Sequence, residues 1–434
     1  MNLYAMLQAR ADEGRPVRAG LIGTGKFGAM FLAQVLTTRG LELTAVADLS
    51  PDRAKQACRN AGWTEERIAA TAFVERGVEL ASSDLVDVVI DATGVPAVGI
   101  ENALAAIEHG KHIIMVNLEA DAIAGPALAA RARAAGVVYS LAYGDQPALT
   151  AELVDWARAS GFEVQAAGKG TKFLPHFPQV TPDTVWEEFG MTREQGHDVN
   201  PRMLTSFTDG TKSAIEMAAI ANACNLGVPK AGLSFHPCGV DDLARVLRPR
   251  SAGGVLETSG VVESLSSLER DGRPVFRDLR WGVYVTFQAP SAFVAEQFAY
   301  CHLTTDPSGT YAAMYKPYHI VGLELGISIL SVALRGEPTG HTRWFRGDVV
   351  ATAKRDLAPG DELDGEGGFA AYGRLMPAED SVARGAVPMG LAHGVKLLRP
   401  VARGEVVTWD DVTPLPNDLT MQLRRETEAL AGVR

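Results

Sequence analysis

The strongest constraint on this chain is Gly23-Thr24-Gly25-Lys26-Phe27-Gly28, set between the apolar stretch 17–22 and an amphipathic stretch 27–38. Three glycines at this spacing suit a strand-to-helix turn: Gly23 makes the tight bend, Gly25 lets backbone approach a pyrophosphate, and Gly28 allows the helix to pack closely on the strand. The helix that follows opens with free N–H groups and the positive end of its dipole, both favourable to phosphate oxygens. Lys26 and Phe27 lie within the same turn. Asp48 ends the second apolar run, 20 positions beyond Gly28, where a carboxylate would accept hydrogen bonds from an adenosine ribose and favour NAD over NADP. Arg53 stands five residues further on, either as a solvated arginine of the next helix or as a partner for a 2′-phosphate. The expected ligand is a nicotinamide dinucleotide, and these residues leave the choice between NADPH and NADH open.

The pattern around this motif extends it into a fold. Apolar runs at 17–22, 41–48, 86–92, 112–117 and 137–142 alternate with helical stretches at 27–38, 51–61, 96–109 and 125–135, the texture of parallel strands joined by crossover helices. The 434 residues exceed one such domain, and 47% hydrophobic with 21% charged residues describes ordinary globular protein. We read an α/β chain: a Rossmann-type doubly wound parallel sheet with an N-terminal helix (1–147), an α+β domain (148–345), a small β-rich domain (346–416) and a helical tail (417–434). In the central domain a helix is expected at 148–159, a strand at 163–167, helices at 213–224 and 318–334, and a strand at 282–287.

Charge and cysteine content exclude several classes of function. Lys+Arg 41 against Asp+Glu 52 gives a net charge of −11, so no global basic field exists to gather nucleic acid or anionic lipid. Four scattered cysteines do not form a disulfide framework. No uninterrupted apolar segment suits a signal peptide or a bilayer span. The expectation is a cytoplasmic protein with a small-molecule substrate, no nucleic-acid or membrane partner, and a homo-oligomeric state, a dimer in the first instance.

Other residues carry candidate chemistry. Thr93 and Gly94 follow the buried run 86–92, and Asn117 follows 112–116; both lie at carboxyl ends of parallel strands, where open α/β sheets place the ligand crevice. These three are expected near a nicotinamide. Lys169 and Lys172 in "GKGTK", and Lys212 in "DGTKSAIE", combine flexible backbone with point charge, which suits a phosphorylated or carboxylated polar substrate. Asp209 either caps the helix that follows or joins Lys212 in chemistry. Lys212 and Glu216 are four apart on that helix, so Lys212 is placed to donate a proton to a nascent alkoxide, while Asp209 or Glu216 tunes it or binds Mg²⁺ or Mn²⁺. Asp145 in "YGDQP" is a third candidate metal ligand. His319 in "YKPYH" is a candidate general acid, and the nine histidines form no zinc signature.

These segments resemble known families. The N-terminal half, with "GLIGTGKFGAMF", "VVIDATG" and "GKHIIMVNLEAD", resembles homoserine dehydrogenase, with Leu118 in place of the lysine usual after that asparagine. The whole chain, with "YGDQPA", "GKGTKF", "FTDGTKSAIEMA", "YKPYHIVGLE" and the SAF-like segment, resembles the 1-deoxy-D-xylulose 5-phosphate reductoisomerase-like family. That resemblance implies NADPH- and divalent-cation-dependent conversion of 1-deoxy-D-xylulose 5-phosphate to 2-C-methyl-D-erythritol 4-phosphate in isoprenoid precursor synthesis. It also implies a catalytic and dimerisation role for 148–345 and a SAF-like character for 346–416. The reading of the residues leaves open a plain oxidoreductase on another small polar carbonyl or alcohol, and a non-catalytic dinucleotide sensor or assembly protein.

Overall fold

The computed structural model describes residues 2–197 and 199–431, which form two compact units. The first comprises 1–152, 319–343 and 418–427; the second comprises 153–318, 344–417 and 428–434, its last three residues lying outside the described ones.

The first unit is built on six parallel strands: β1 (Val17–Ile22), β2 (Leu41–Ala47), β3 (Ala72–Val74), β4 (Val88–Asp91), β5 (His112–Met115) and β6 (Tyr139–Leu141). Their order, β3-β2-β1-β4-β5-β6, is that of a doubly wound sheet whose direction of winding reverses between β1 and β4. All four residues of β4 are buried, as expected of a parallel strand covered on both faces. Five of the strands follow the apolar runs of the sequence; β3, three half-buried residues, is too short to stand out. The helix expected at 125–135 runs instead from Leu118 to Ala134, because the Asn117 side chain accepts a hydrogen bond from Ala120 N and starts it one turn after β5. Pro126 lies inside it.

The chain returns to this unit twice. The helix Gly326–Arg335 adds Leu325, Ile329, Leu330 and Val332 to a core that also holds Leu7, Val17, Phe31 and Ile114. Sequence order alone assigns these residues to the central domain; apolar packing assigns them to the first unit. The helix also starts later than the expected 318, since Gly322 adopts φ +72°, a left-handed turn that interrupts it. The tail helix Leu419–Glu428 belongs here too, with Glu426 paired to Arg131.

The second unit holds a mixed sheet and two pairs of C-terminal strands. Its strands are β7 (Glu163–Thr171), β8 (His236–Pro237), β9 (Val261–Val262), β10 (Leu265–Ser266), β11 (Val283–Gln288), β12 (Thr304–Thr305) and β13 (Tyr311–Lys316). The order is β12-β13-β11-β7-β10-β8, with β9 also on β7. The segment "GKGT", which reads as a loop after a strand ending at 167, continues β7 to Thr171. Its glycines are there for closeness: a Cβ on Gly168 would lie 2.1 Å from Glu263 O, and one on Gly170 1.9 Å from Leu279 O. The C-terminal strands β14 (Gly347–Ala353) and β16 (Ala371–Pro377) pair antiparallel, as do β15 (Glu362–Asp364) and β17 (His393–Lys396). β14 and β16 pack on the helix Thr211–Cys224. No strand forms at 406–411; that stretch is tied down by isolated bridges and a short 3₁₀ turn.

Candidate functional site

In the first unit the glycine turn adopts the geometry its sequence implies. Gly23 has φ +94°, and a Cβ on it would lie 2.8 Å from Ala92 O; a Cβ on Gly28 would lie 2.3 Å from Gly23 O. Neither position tolerates a side chain without movement. Gly25, in contrast, has nothing within 4 Å of where a Cβ would stand, so the backbone at the start of the helix Lys26–Gln34 is open to a ligand. Lys26 is exposed and Phe27 half-buried. A cradle closed beneath and open above, at a helix N-terminus, fits a dinucleotide pyrophosphate.

Asp48 lies beside the turn with both oxygens in use. Oδ2 accepts from Thr24 N (3.1 Å) and Thr24 Oγ1 (2.5 Å), and Oδ1 from Ser50 N (3.2 Å) and Arg53 (2.5 Å). Burial opposes its ionisation, but the hydrogen bonds from Thr24, Ser50 and Arg53 outweigh this and hold its carboxyl below the usual range. The Arg53 side chain is 67% exposed.

Thr93 and Asn117 take up scaffold positions on the same rim. Thr93 donates through N and Oγ1 to Asp91 Oδ1, whose other oxygen accepts from Asn102. Asn117 donates to Thr93 Oγ1 (3.1 Å) and Val95 O (3.0 Å) and caps its helix, so the side chain expected near nicotinamide is committed to shaping the rim. Gly94 stays open, with nothing within 4 Å of a Cβ. Burial raises the Asp91 carboxyl, with the hydrogen bonds from Asn102, Thr93 and Asn117 opposing.

Asp145 and His319, far apart in sequence, meet here. A Cβ on Gly144 would lie 2.8 Å from Ile320 O, so the neighbours of these two residues, Asp145 and His319, flank a backbone contact. Two residues on, Gly322 presses against the glycine turn's own helix, where a Cβ would lie 2.5 Å from Phe27 O. Three residues separate His319 from that contact, at most about 10 Å of chain.

The second unit gathers the lysines differently from the sequence reading. The Lys169 ammonium, on β7, pairs with the Glu216 carboxylate on the helix Thr211–Cys224, each side chain 7% exposed. Lys212 is half-buried at the second position of that helix. Asp209 is fully buried and bound to the Lys354 ammonium at 2.8 Å, while Lys354 also donates to Val180 O and Gly368 O. Burial raises the Asp209 carboxyl and the Lys354 charge opposes it. Asp209 is thus held in a buried pair with Lys354. Lys354 has no local sequence signal; only the fold brings it to Asp209.

The metal expectation is corrected on the same grounds. Among the described residues no group of three or more His, Cys, Asp or Glu is arranged to hold a metal ion. Asp209 and Glu216 each face an ammonium, and Asp145 lies in the other unit.

Lys172, just past β7, donates to the Glu188 carbonyl oxygen and lies 6.0 Å from the centre of the Phe177 ring. Burial, then the positive charge of Arg280, lower its pKa, with Glu188 opposing. Arg280 escaped the sequence reading, although the glycines around it, Gly170 and Gly282, were a signal of close backbone approach.

Comparison with known proteins matches three segments. Residues 17–117 match the family model described as oxidoreductase family, NAD-binding Rossmann fold; 144–325 match oxidoreductase DRL, catalytic domain; and 348–413 match the SAF domain. In chain order, the three segments are thus similar to an NAD-binding Rossmann fold of an oxidoreductase family, an oxidoreductase catalytic domain and a SAF domain. A curated homoserine dehydrogenase of Neisseria gonorrhoeae is 33% identical over 112 residues, 24% of this chain, and the match spans only 23% of that protein. Among solved structures, KijD10, a 3-ketoreductase from Actinomadura kijaniata in complex with NADP, is 22% identical over 37% of this chain and 50% of its own, with a TM-score of 0.27. A probable dehydrogenase from Thermotoga maritima is 15% identical over 74% of this chain and 90% of its own, with a TM-score of 0.39.

These matches overturn the resemblance to the 1-deoxy-D-xylulose 5-phosphate reductoisomerase-like family, since the central segment answers to the oxidoreductase DRL model. The motifs that suggested it have local physical reasons. "GKGTK" is a crowded strand end, and "DGTK" a helix start whose aspartate is tied to Lys354. Isomerisation and isoprenoid synthesis are not carried forward. No helix among the described residues is long and apolar enough to cross a membrane.

Proposed function

We propose that the protein interconverts a carbonyl and an alcohol on a small anionic polar molecule, using NADP(H) or NAD(H). The observation that carries the reading is the glycine turn, closed at Gly23 and Gly28 and open at Gly25. The bound nicotinamide supplies or accepts the hydride. Around it, the chain's own groups hold the pyrophosphate at the helix Lys26–Gln34, fix the rim through Thr93 and Asn117, and move one proton at the substrate oxygen. His319 carries that proton: its segment lies against Phe27 through Gly322, and Asp145 flanks it. The anionic class of substrate is favoured by the positive charge of Lys172, which has Arg280 nearby.

The test is oxidation of NADPH and, separately, NADH by purified protein across a panel of small phosphorylated and carboxylated aldehydes and ketones, with products identified by mass spectrometry. Turnover that falls by about 10²–10⁴ in His319→Asn, with dinucleotide affinity unchanged, is the expected outcome. Dinucleotide binding without turnover on any carbonyl would move the reading to a sensor. No dinucleotide binding at all would end it.

A further inference from the structure

The turn 279–282 is clamped onto the end of β7. Gly170 N donates to Gly282 O at 3.1 Å, Gly282 N to Leu279 O at 2.9 Å, and a Cβ on Gly170 would stand 2.9 Å from Arg280 N. Arg280 therefore projects from a turn held two residues from Lys172, its direction fixed in part by Asp278, which accepts from Arg280 N (2.8 Å). Its guanidinium lies 5.0 Å from the centre of the Trp281 ring, an arrangement that holds the planar group without consuming its N–H donors.

Two cations brought together in this way repel, and folding usually places a carboxylate between them. Among the described residues no carboxylate pairs with the Arg280 guanidinium, and the Lys172 ammonium, with three donors, gives one to a backbone carbonyl. The nearby Glu188 carboxylate is turned to His176 Nε2 at 2.9 Å. Phe177 and Trp281 each lie beside one of the two cations.

We infer that Lys172 and Arg280 form an oxyanion clasp that holds the phosphate or carboxylate group of the substrate, with Trp281 and Phe177 setting the two cations. The inference rests on the reading of the protein as an oxidoreductase of small anionic molecules, and gives that class a place. Arg280 supplies a planar fork of donors and Lys172 a point charge, a division of labour suited to an oxygen cluster with two or three free corners.

The test reads Lys172 directly. Full-length protein is reductively methylated with and without inorganic phosphate at constant ionic strength, and labelling of each lysine is followed by mass spectrometry, with the exposed Lys230 and Lys396 as internal references. Phosphate is expected to slow labelling of Lys172 several-fold in the wild type and to lose that effect in Arg280→Gln. Acetate in place of phosphate separates the sources: protection by both defines a general oxyanion clasp, and protection by phosphate alone narrows it to phosphate esters. Equal labelling of Lys172 with and without either anion would overturn the clasp, as would protection that survives Arg280→Gln in a variant whose circular dichroism is native. Should that variant not fold, the wild-type comparison decides alone. Turnover plays no part in this readout, so failure of the oxidoreductase reading and failure of the clasp are seen separately.

Discussion

Asp48 sits where a ribose is expected, yet four donors already reach its oxygens, one of them from Arg53. The arrangement binds the guanidinium to the strand end while leaving it exposed, and we expect it to meet the 2′-phosphate of NADPH. Arg53→Ala is expected to weaken NADPH binding about tenfold, or 1.4 kcal/mol, and to leave NADH binding within a factor of two or so, as read by quenching of intrinsic fluorescence. A second residue-scale expectation concerns Asp121, which is buried in the first unit with Oδ1 accepting from Tyr139 and Thr342 and Oδ2 without a partner. Burial pushes its carboxyl up to about 6, with the two hydroxyl hydrogen bonds opposing. Because the folded value lies above the unfolded one near 4, its contribution is full below pH 4 and is lost as the pH rises through 6. Urea unfolding across that window is expected to show a fall of roughly 2–3 kcal/mol, flattened in Asp121→Asn. Local chemistry such as the three glycines and Asp48 is legible in sequence because its spacing is its geometry. Lys354 meets Asp209, and Arg280 comes near Lys172, across more than a hundred residues, and no spacing encodes either approach.

At the scale of elements, the helix Thr211–Cys224 is the piece most determined by others. Its first residue, Thr211, accepts from Gly373 N through Oγ1 (2.8 Å), Asp209 before it is tied to Lys354 after β14, and Asn222 near its end donates to Gly347 O and accepts from Arg346 N. Ahead of it, Arg202 and Ser206 reach Asp364 and Glu366. The SAF strands therefore set where Glu216 stands, and through it Lys169. Lys354→Met, which strands a buried carboxylate, is expected to cost about 3–5 kcal/mol by urea denaturation, and adding Asp209→Leu to recover most of that. The helix itself was visible from its apolar periodicity, as were most of the strands. What holds its ends was not, since β14 begins more than a hundred residues later and the contacts are single hydrogen bonds.

For the molecule as a whole, sequence order and spatial membership part company. The sequence divides in chain order because alternation of strand and helix is a local pattern; the structure reassigns 319–343 and 418–427 to the first unit because Leu325, Ile329, Leu330 and Val332 complete its core. A fragment of residues 1–152 is accordingly expected to lack a cooperative thermal transition and to bind no NADPH, whereas the full chain does both; a native-like melt of the fragment by circular dichroism would refute this. The same reassignment governs events on the ribosome. The six-stranded sheet leaves the exit tunnel early, yet the helix Gly326–Arg335 that covers Leu7 and Ile114 follows on the order of ten to thirty seconds later at ordinary rates of elongation. During that interval an apolar face built for a distant part of its own chain is bare, which makes this nascent protein a client for whatever in the cell shields such surfaces.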